Sequence, residues 1–353
     1  MPEKKSPKNK KVLHTLRASA GSLLIVLIAL SAVLALSLLL SKTPARTLRY
    51  FFLGPLQNTY SFGNMLNSAI PLIFGGLGVS LAMRAGNFNL GGEGQIYSGA
   101  LATTLCAIYF APLGLIGAIL ALFIGSSVAG VLAGLSGFFR MKWNTSELIT
   151  SFLISNAVVL VVNHLIAEPF MDPSTSLIAT RKIPEAFRLS VLLPPSNLST
   201  ALFFSLIAVI AVHVYLYKTK SGYQLRMTGL NSRFAKYGGI NTSKFIVLPM
   251  FLSGFLYGLG GGFAIYGTYF STIKEFSSGM GWNSLAVALI AKNKPAAVIP
   301  AALFFAYIEA GARSAMLHSD VTFEIAAIVQ SIVFFLISSE VLLTLFEKKR
   351  GYL

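Results

Sequence analysis

The densest group of side chains that could handle a solute is the stretch Arg84–Gln95, RAGNFNLGGEGQ, which joins two apolar runs. It sets Asn87, Asn89, Glu93 and Gln95 among Gly86, Gly91, Gly92 and Gly94. Carboxamides and a carboxylate supply hydrogen-bond donors and acceptors, and glycines let the backbone turn and approach a neighbour closely. Two readings fit: a broken helix lining a polar path, or an ordinary turn between helices. Non-helical backbone at membrane depth survives only where protein or a water-filled cavity satisfies it. A second group opens the run WNTSELITSFLISN, with Glu147 at its boundary and Asn156 deeper. Positions 145, 149, 152 and 156 share a helical face. Asn156 is either a pathway residue or a hydrogen-bonding link between helices. Glu309 and Glu340 stand under the same two readings.

Covalent chemistry finds no footing. His14, His164, His213 and His318 form neither an HExxH motif nor a pair at metal spacing, so no metal, cofactor or catalytic residue is expected. No GxSxG elbow occurs, and GGEGQ does not match the phosphate-cradling GxxxxGK[ST] pattern. Cys106, the single cysteine, lies in an apolar run and reads as a packing residue.

The elements that must position these groups belong to a membrane. Of 353 residues, 55% are hydrophobic and 11% charged, against roughly 25% charged in soluble domains. Lys and Arg outnumber Asp and Glu 28 to 12. Because the basic residues cluster between long apolar runs, they read as topology signals, not as a nucleic-acid surface. A span needs roughly 20 mostly apolar residues. Runs occur near 20–40, 62–83, 95–110, 112–139, 145–166, 200–217, 245–266, 282–291, 296–312 and 322–343. The fold expected is an all-α polytopic membrane protein with about ten transmembrane helices, one or two of them broken or re-entrant. The 112–139 run is long enough to tilt, and 282–291 is short enough for a half-helix. Placing both termini in the cytoplasm puts 20 Lys and Arg inside and 8 outside, as the positive-inside rule requires. The domain reading is a basic cytoplasmic segment 1–19, a transmembrane domain 20–343 and a cytoplasmic tail 344–353. The first run is too long for a signal-peptide core, and SKTPAR after it lacks a small-x-small site, so an uncleaved anchor is expected.

Two loops are long. The outer loop 167–199 carries Pro169, Pro173, Pro184, Pro194 and Pro195, which break regular helix. The inner loop, GYQLRMTGLNSRFAKYGGI over 222–240, mixes basic with apolar residues. It suits either docking of a partner protein or anchoring on the lipid surface. Gly130 and Gly134, and Gly254, Gly258 and Gly262, repeat at a spacing of four, which allows close helix approach. No internal repeat is evident.

RAGNFNLGGEGQ, NTSELITSFLISN, GYQLRMTGLNSRFAKYGGI, GWNSLAVALIAKNKPAAVIPAALFFAYIEAGA and VTFEIAAIVQSIVFFL follow one another in order. Together they resemble permease subunits of binding-protein-dependent ABC importers, in the simple-sugar and branched-chain amino acid superfamily. NFNLGGEGQ looks most like the nucleoside-type branch, and the likeness covers about 62–343. It implies a transport subunit without its own ATP hydrolysis, in a bacterial inner membrane. A cytoplasmic ATPase subunit, a second homologous permease and an extracytoplasmic solute-binding protein would accompany it. Asn87, Asn89, Glu93 and Gln95 become pathway candidates, with Glu147 and Asn156 beside them. The loop becomes a coupling helix, with Arg226, Gly229, Asn231, Ala235, Tyr237, Gly239 and Ile240 facing the ATPase, although Phe234 and Lys236 depart from the small residues usual there. The receptor is expected on loops 167–199 and 267–281. A neutral solute is implied, a nucleoside first and a simple sugar second. An ion-driven secondary transporter is the reading from outside the family, and a repeat or buried ionisable relay would favour it.

Overall fold

A computed structural model describes residues 41–320 together with Thr322 and Ser331. The basic segment 1–19, the expected span 20–40, nearly all of the expected span 322–343 with Glu340, and the tail 344–353 lie outside the described residues. Among the described residues the chain is all-helical, with isolated β-bridges and no strand.

The helices are α1 (Pro44–Leu53), α2 (Thr59–Arg84), α3 (Gly92–Tyr109), α4 (Gly114–Trp143), α5 (Glu147–Ala167), α6 (Ala201–Lys218), α7 (Lys220–Leu230), α8 (Ser232–Tyr237), α9 (Lys244–Ala264), α10 (Met280–Ile290) and α11 (Pro295–His318). A π-helical turn, Ile265–Tyr269, extends α9. Eight of the ten expected runs fall on these helices. Among the described residues, six stretches are long and apolar enough to cross a membrane: Thr59–Arg84, Ala111–Trp143, Glu147–Ala167, Ala201–Lys218, Lys244–Tyr269 and Pro295–His318. α10, with 11 residues, is about 16 Å long, half of a roughly 30 Å hydrocarbon core. Ten complete spans are therefore not what the described residues contain.

Two compact units are formed, Asn58–Ala306 and a smaller one that includes 41–57 and 307–320. In the larger unit α2, α3 and α9 form the centre, and α4, α5 and α6 carry many exposed apolar side chains. α2 and α3 are buried almost all round, as expected of helices without a polar face. The α4–α9 packing is close because small residues face one another. A Cβ on Gly254 would lie 2.3 Å from Ala129 O, one on Gly258 2.7 Å from Ser126 Cα, and one on Gly262 2.4 Å from Leu122 Cδ1. Gly130 and Gly134 sit against Phe251. Such approach gains dispersion contact where lipid offers no hydrophobic drive between helices.

In the smaller unit, α1 lies within the 41–61 stretch expected as an outer loop. Pro44 starts it at a position where its missing N–H costs nothing. Gly311 meets the Phe51 carbonyl, Tyr307 donates to Phe52 O at 2.6 Å, and Tyr50 stacks on His318 with centroids 4.4 Å apart. Glu309 accepts from Arg313 one turn along the same helix. Asp320 gathers Ser41 Oγ, Lys42 N and Thr43 Oγ1. Those bonds, the serine's first, hold its carboxyl well below the ordinary carboxylate range.

Candidate functional site

α2 ends at Gly86, whose φ of +75° is open to glycine at little cost. Gly86 N donates to Met83 O at 3.1 Å and Asn87 N to Ala82 O at 3.0 Å, the paired bonds of a Schellman stop. From Asn87 to Gly91 the backbone is not helical. Three of its amides are met by side chains of α5 and of the segment itself. Phe88 N donates to Glu147 Oε1 (3.1 Å), Leu90 N to Ser151 Oγ (3.0 Å) and Gly91 N to Asn89 Oδ1 (2.9 Å). One turn into α3, Gly94 N donates to Ser155 Oγ at 2.8 Å. Glu147, Ser151 and Ser155 are buried and stand four residues apart, on one helical face. The segment therefore runs about 12 Å along α5.

Inside this frame lies a closed polar cluster. Asn89 Nδ2 donates to Gln95 Oε1 (2.8 Å) and to Ser253 Oγ (2.9 Å), and Gln95 Nε2 returns a bond to Asn89 Oδ1 (2.9 Å). Asn87 donates to Ile246 O at 3.0 Å. Asn87, Asn89 and Gln95 are buried, and all three bond to protein groups. Arg140, near the end of α4, braces the start of the segment. Its Nη1 reaches Gly86 O (2.9 Å), Asn87 Oδ1 (2.6 Å) and Glu147 Oε1 (2.7 Å).

The same segment holds α10 at both ends. Glu93 accepts from Gly279 N (3.0 Å) and Gly281 N (2.9 Å) at the N-terminus. Arg84 Nε donates to Asn293 O (2.8 Å) just beyond the C-terminus. An anion at the first turn and a cation at the last both suit the helix dipole. Asn156 is not part of this arrangement. It is exposed, and its amide donates to Phe152 O at 3.1 Å. Position 145 precedes α5, and 149, 152 and 156 lie on its exposed face, away from the serines.

The inner loop folds into α7 and α8, broken at Asn231, whose Oδ1 caps α8 by accepting from Phe234 N at 2.9 Å. Gly229 lies against the end of α2: a Cβ there would sit 2.2 Å from Arg84 O and 2.9 Å from Gly86 N. Ala235 is buried. Gly239 and Ile240 end α8 with a second Schellman pair, Gly239 N to Lys236 O (3.1 Å) and Ile240 N to Ala235 O (3.0 Å). The Arg226 guanidinium sits 5.1 Å from the Tyr217 ring centre. Six of the seven candidate coupling residues thus build the loop, whereas Tyr237 points outward, 93% exposed; Leu230 and Phe234 are exposed too.

On the other side, the two outer loops are bonded into one layer. Thr180 N donates to Thr272 O (3.0 Å), Ile183 N to Phe270 O (2.8 Å), Leu189 N to Tyr266 O (2.9 Å) and Lys274 N to Ile178 O (2.9 Å). The Ser174 hydroxyl and amide hold Asp172 below the ordinary carboxylate range.

Reasoning from sequence missed Arg84, Arg140, Ser151, Ser155 and Ser253. A usable signal existed for α5 alone, where an acid and two serines repeat every four residues in an otherwise apolar run. Among the described residues no group of three or more His, Cys, Asp or Glu could hold a metal ion.

Residues 61–338 match the family model described as "Branched-chain amino acid transport system / permease component". The chain is 33% identical to a probable riboflavin import permease protein of Treponema pallidum, over 91% of this chain and 85% of that one. It is 30% identical to a glucose ABC transporter permease protein of Haloferax volcanii, over 85% and 82%. It is 29% identical to a nucleoside ABC transporter permease protein of Lactococcus lactis, over 81% of each. No solved structure matches it.

Proposed function

Because the chain belongs to the branched-chain amino acid transport system / permease component family, we propose that it is one half of the membrane path of an ABC importer in a bacterial inner membrane. Its full transmembrane domain is 20–343, with ten spans and both termini in the cytoplasm. A second homologous permease completes the path, a cytoplasmic ATPase drives it, and an extracytoplasmic solute-binding protein delivers the solute to the bonded outer loops. The solute is a nucleoside. A simple sugar is the second reading, favoured by the glucose permease of nearly equal identity.

One observation carries the proposal: α7 and α8 expose Leu230, Phe234 and Tyr237, while Gly229 touches the start of the polar segment. Apolar side chains left in water on a basic loop suit a protein partner. Motion of that partner reaches Gly86 directly, and Gly86 is followed by the segment that carries Asn89 and Glu93. The work comes from ATP binding more tightly to one conformation than to the other.

The test is recovery of the ATPase with tagged chain in mild detergent. Phe234→Asp and Tyr237→Asp alter only exposed side chains, so the loop keeps its fold and the ATPase is lost. Gly229 and Ala235 are unsuitable positions, since both face inward. If no ATPase accompanies the unaltered chain, the ABC reading fails, and uptake should be assayed against proton and sodium gradients.

A further inference from the structure

The exposed face of α5 meets α10 at an aromatic pair. Phe152 and Trp282 lie edge to face, with ring centroids 6.0 Å apart and planes at 63°. They are 37% and 46% exposed. One turn beyond Phe152 stands Asn156, whose amide oxygen has no partner among the described residues. Trp282 follows Gly281, the residue that Glu93 grips.

Their depth decides what this face can border. Phe152 and Asn156 come five and nine residues after the start of α5, about 8 Å and 14 Å along it. Trp282 is near the far end of the roughly 16 Å helix α10, whose other end is held by Arg84 beside Lys292. Counted from those ends, Phe152, Trp282 and Asn156 are about 8, 12 and 14 Å along their helices, which places them within a roughly 30 Å core when the ends lie at its boundary. Indole rings that face lipid are enriched at the interfaces. An exposed carboxamide at mid-depth is costly against hydrocarbon and borders a cavity or a protein.

We infer that Trp282 and Phe152, with the Asn156 amide beside them, form the wall on which a flat heteroaromatic part of the solute stacks during passage. This deepens the permease reading and rests on it. An aromatic face attracts any planar ring system, and the amide can hydrogen-bond a ring edge or a hydroxyl. A solute without a flat ring gains little from the pair, so the wall sets the substrate class.

The experiment uses the complete complex in proteoliposomes, with labelled guanosine, riboflavin and glucose as probes. Variants are Trp282→Ala, Trp282→Phe and Asn156→Leu, each first checked for recovery of ATPase and second permease. The wall predicts uptake of a ring-bearing probe. Trp282→Ala should raise its KM about tenfold, the size of one lost stacking contact, and Trp282→Phe should recover most of it. Three results would overturn the inference: an unchanged KM in Trp282→Ala, uptake of glucose alone, or loss of the second permease from that variant, which would make the pair a subunit contact. Failure to recover any ATPase with the unaltered chain would instead remove the permease reading beneath it.

Discussion

Substituting Gly229 with alanine isolates the contact between the inner loop and the polar segment. The added methyl would lie 2.2 Å from Arg84 O, where ordinary contact begins at 3.4 Å. The two backbones must therefore part by about 1.2 Å, the difference between those distances. Overpacking of this kind costs about 1–3 kcal/mol. Replacing glycine inside a helix returns up to about 1 kcal/mol. The net loss, at most about 3 kcal/mol, leaves the complex assembled. Gly229 nevertheless touches Gly86, whose carbonyl Arg140 holds. A change of about 1.4 kcal/mol in the balance of two conformations is tenfold in their ratio. Gly229→Ala should therefore lower solute uptake in proteoliposomes about tenfold, with ATPase recovered in full and ATP still hydrolysed. Wild-type uptake in an assembled Gly229→Ala complex would refute transmission through this contact.

Two further outcomes follow from the same geometry. Ser151→Ala and Ser155→Ala leave the amides of Leu90 and Gly94 without acceptors, so each should cost about 1–3 kcal/mol, read as a lower thermal midpoint in detergent; Asn156→Ala, on the opposite face, should leave the midpoint unchanged. Asp320 has a depressed carboxyl, so its anchoring of residues 41–43 is complete above the ordinary carboxylate pKa and is lost as pH falls through the lower folded value. Exchange protection of the Lys42 amide should thus persist at mildly acidic pH, fade at strongly acidic pH and be absent throughout in Asp320→Asn.

Helix positions were legible because apolar runs of span length have few other uses. The runs 62–83, 112–139 and 245–266 each fall inside one of the long apolar helical stretches, Thr59–Arg84, Ala111–Trp143 and Lys244–Tyr269. The short run 282–291 falls on α10 for the same reason: eleven residues cannot cross a core. α1 was not legible, since PARTLRYFFL carries two arginines and a threonine, and no hydropathy window rises over it. Within the site, the polar residues of 84–95 announced themselves by composition. Their partners did not. The bonds from Arg84 to Asn293, Arg140 to Gly86 and Asn89 to Ser253 join residues 54 to 209 positions apart, and such bonds leave no periodicity in a sequence. Asn156 drew attention as a polar residue in a span, whereas Ser151 and Ser155, equally polar but small, did not. Burial reverses that order: the serines are inside and the asparagine outside.

The pairing of Asn89 with Gln95 has a consequence for turnover. Each amide completes the other, and Ser253 completes the group. This part of the scaffold is whole when empty. Under the proposed permease reading, solute can come and go without breaking any of these bonds. Rigidity that does not depend on cargo suits a carrier, which must let go as readily as it holds. A site whose fold depended on its ligand would resist the last step of every cycle.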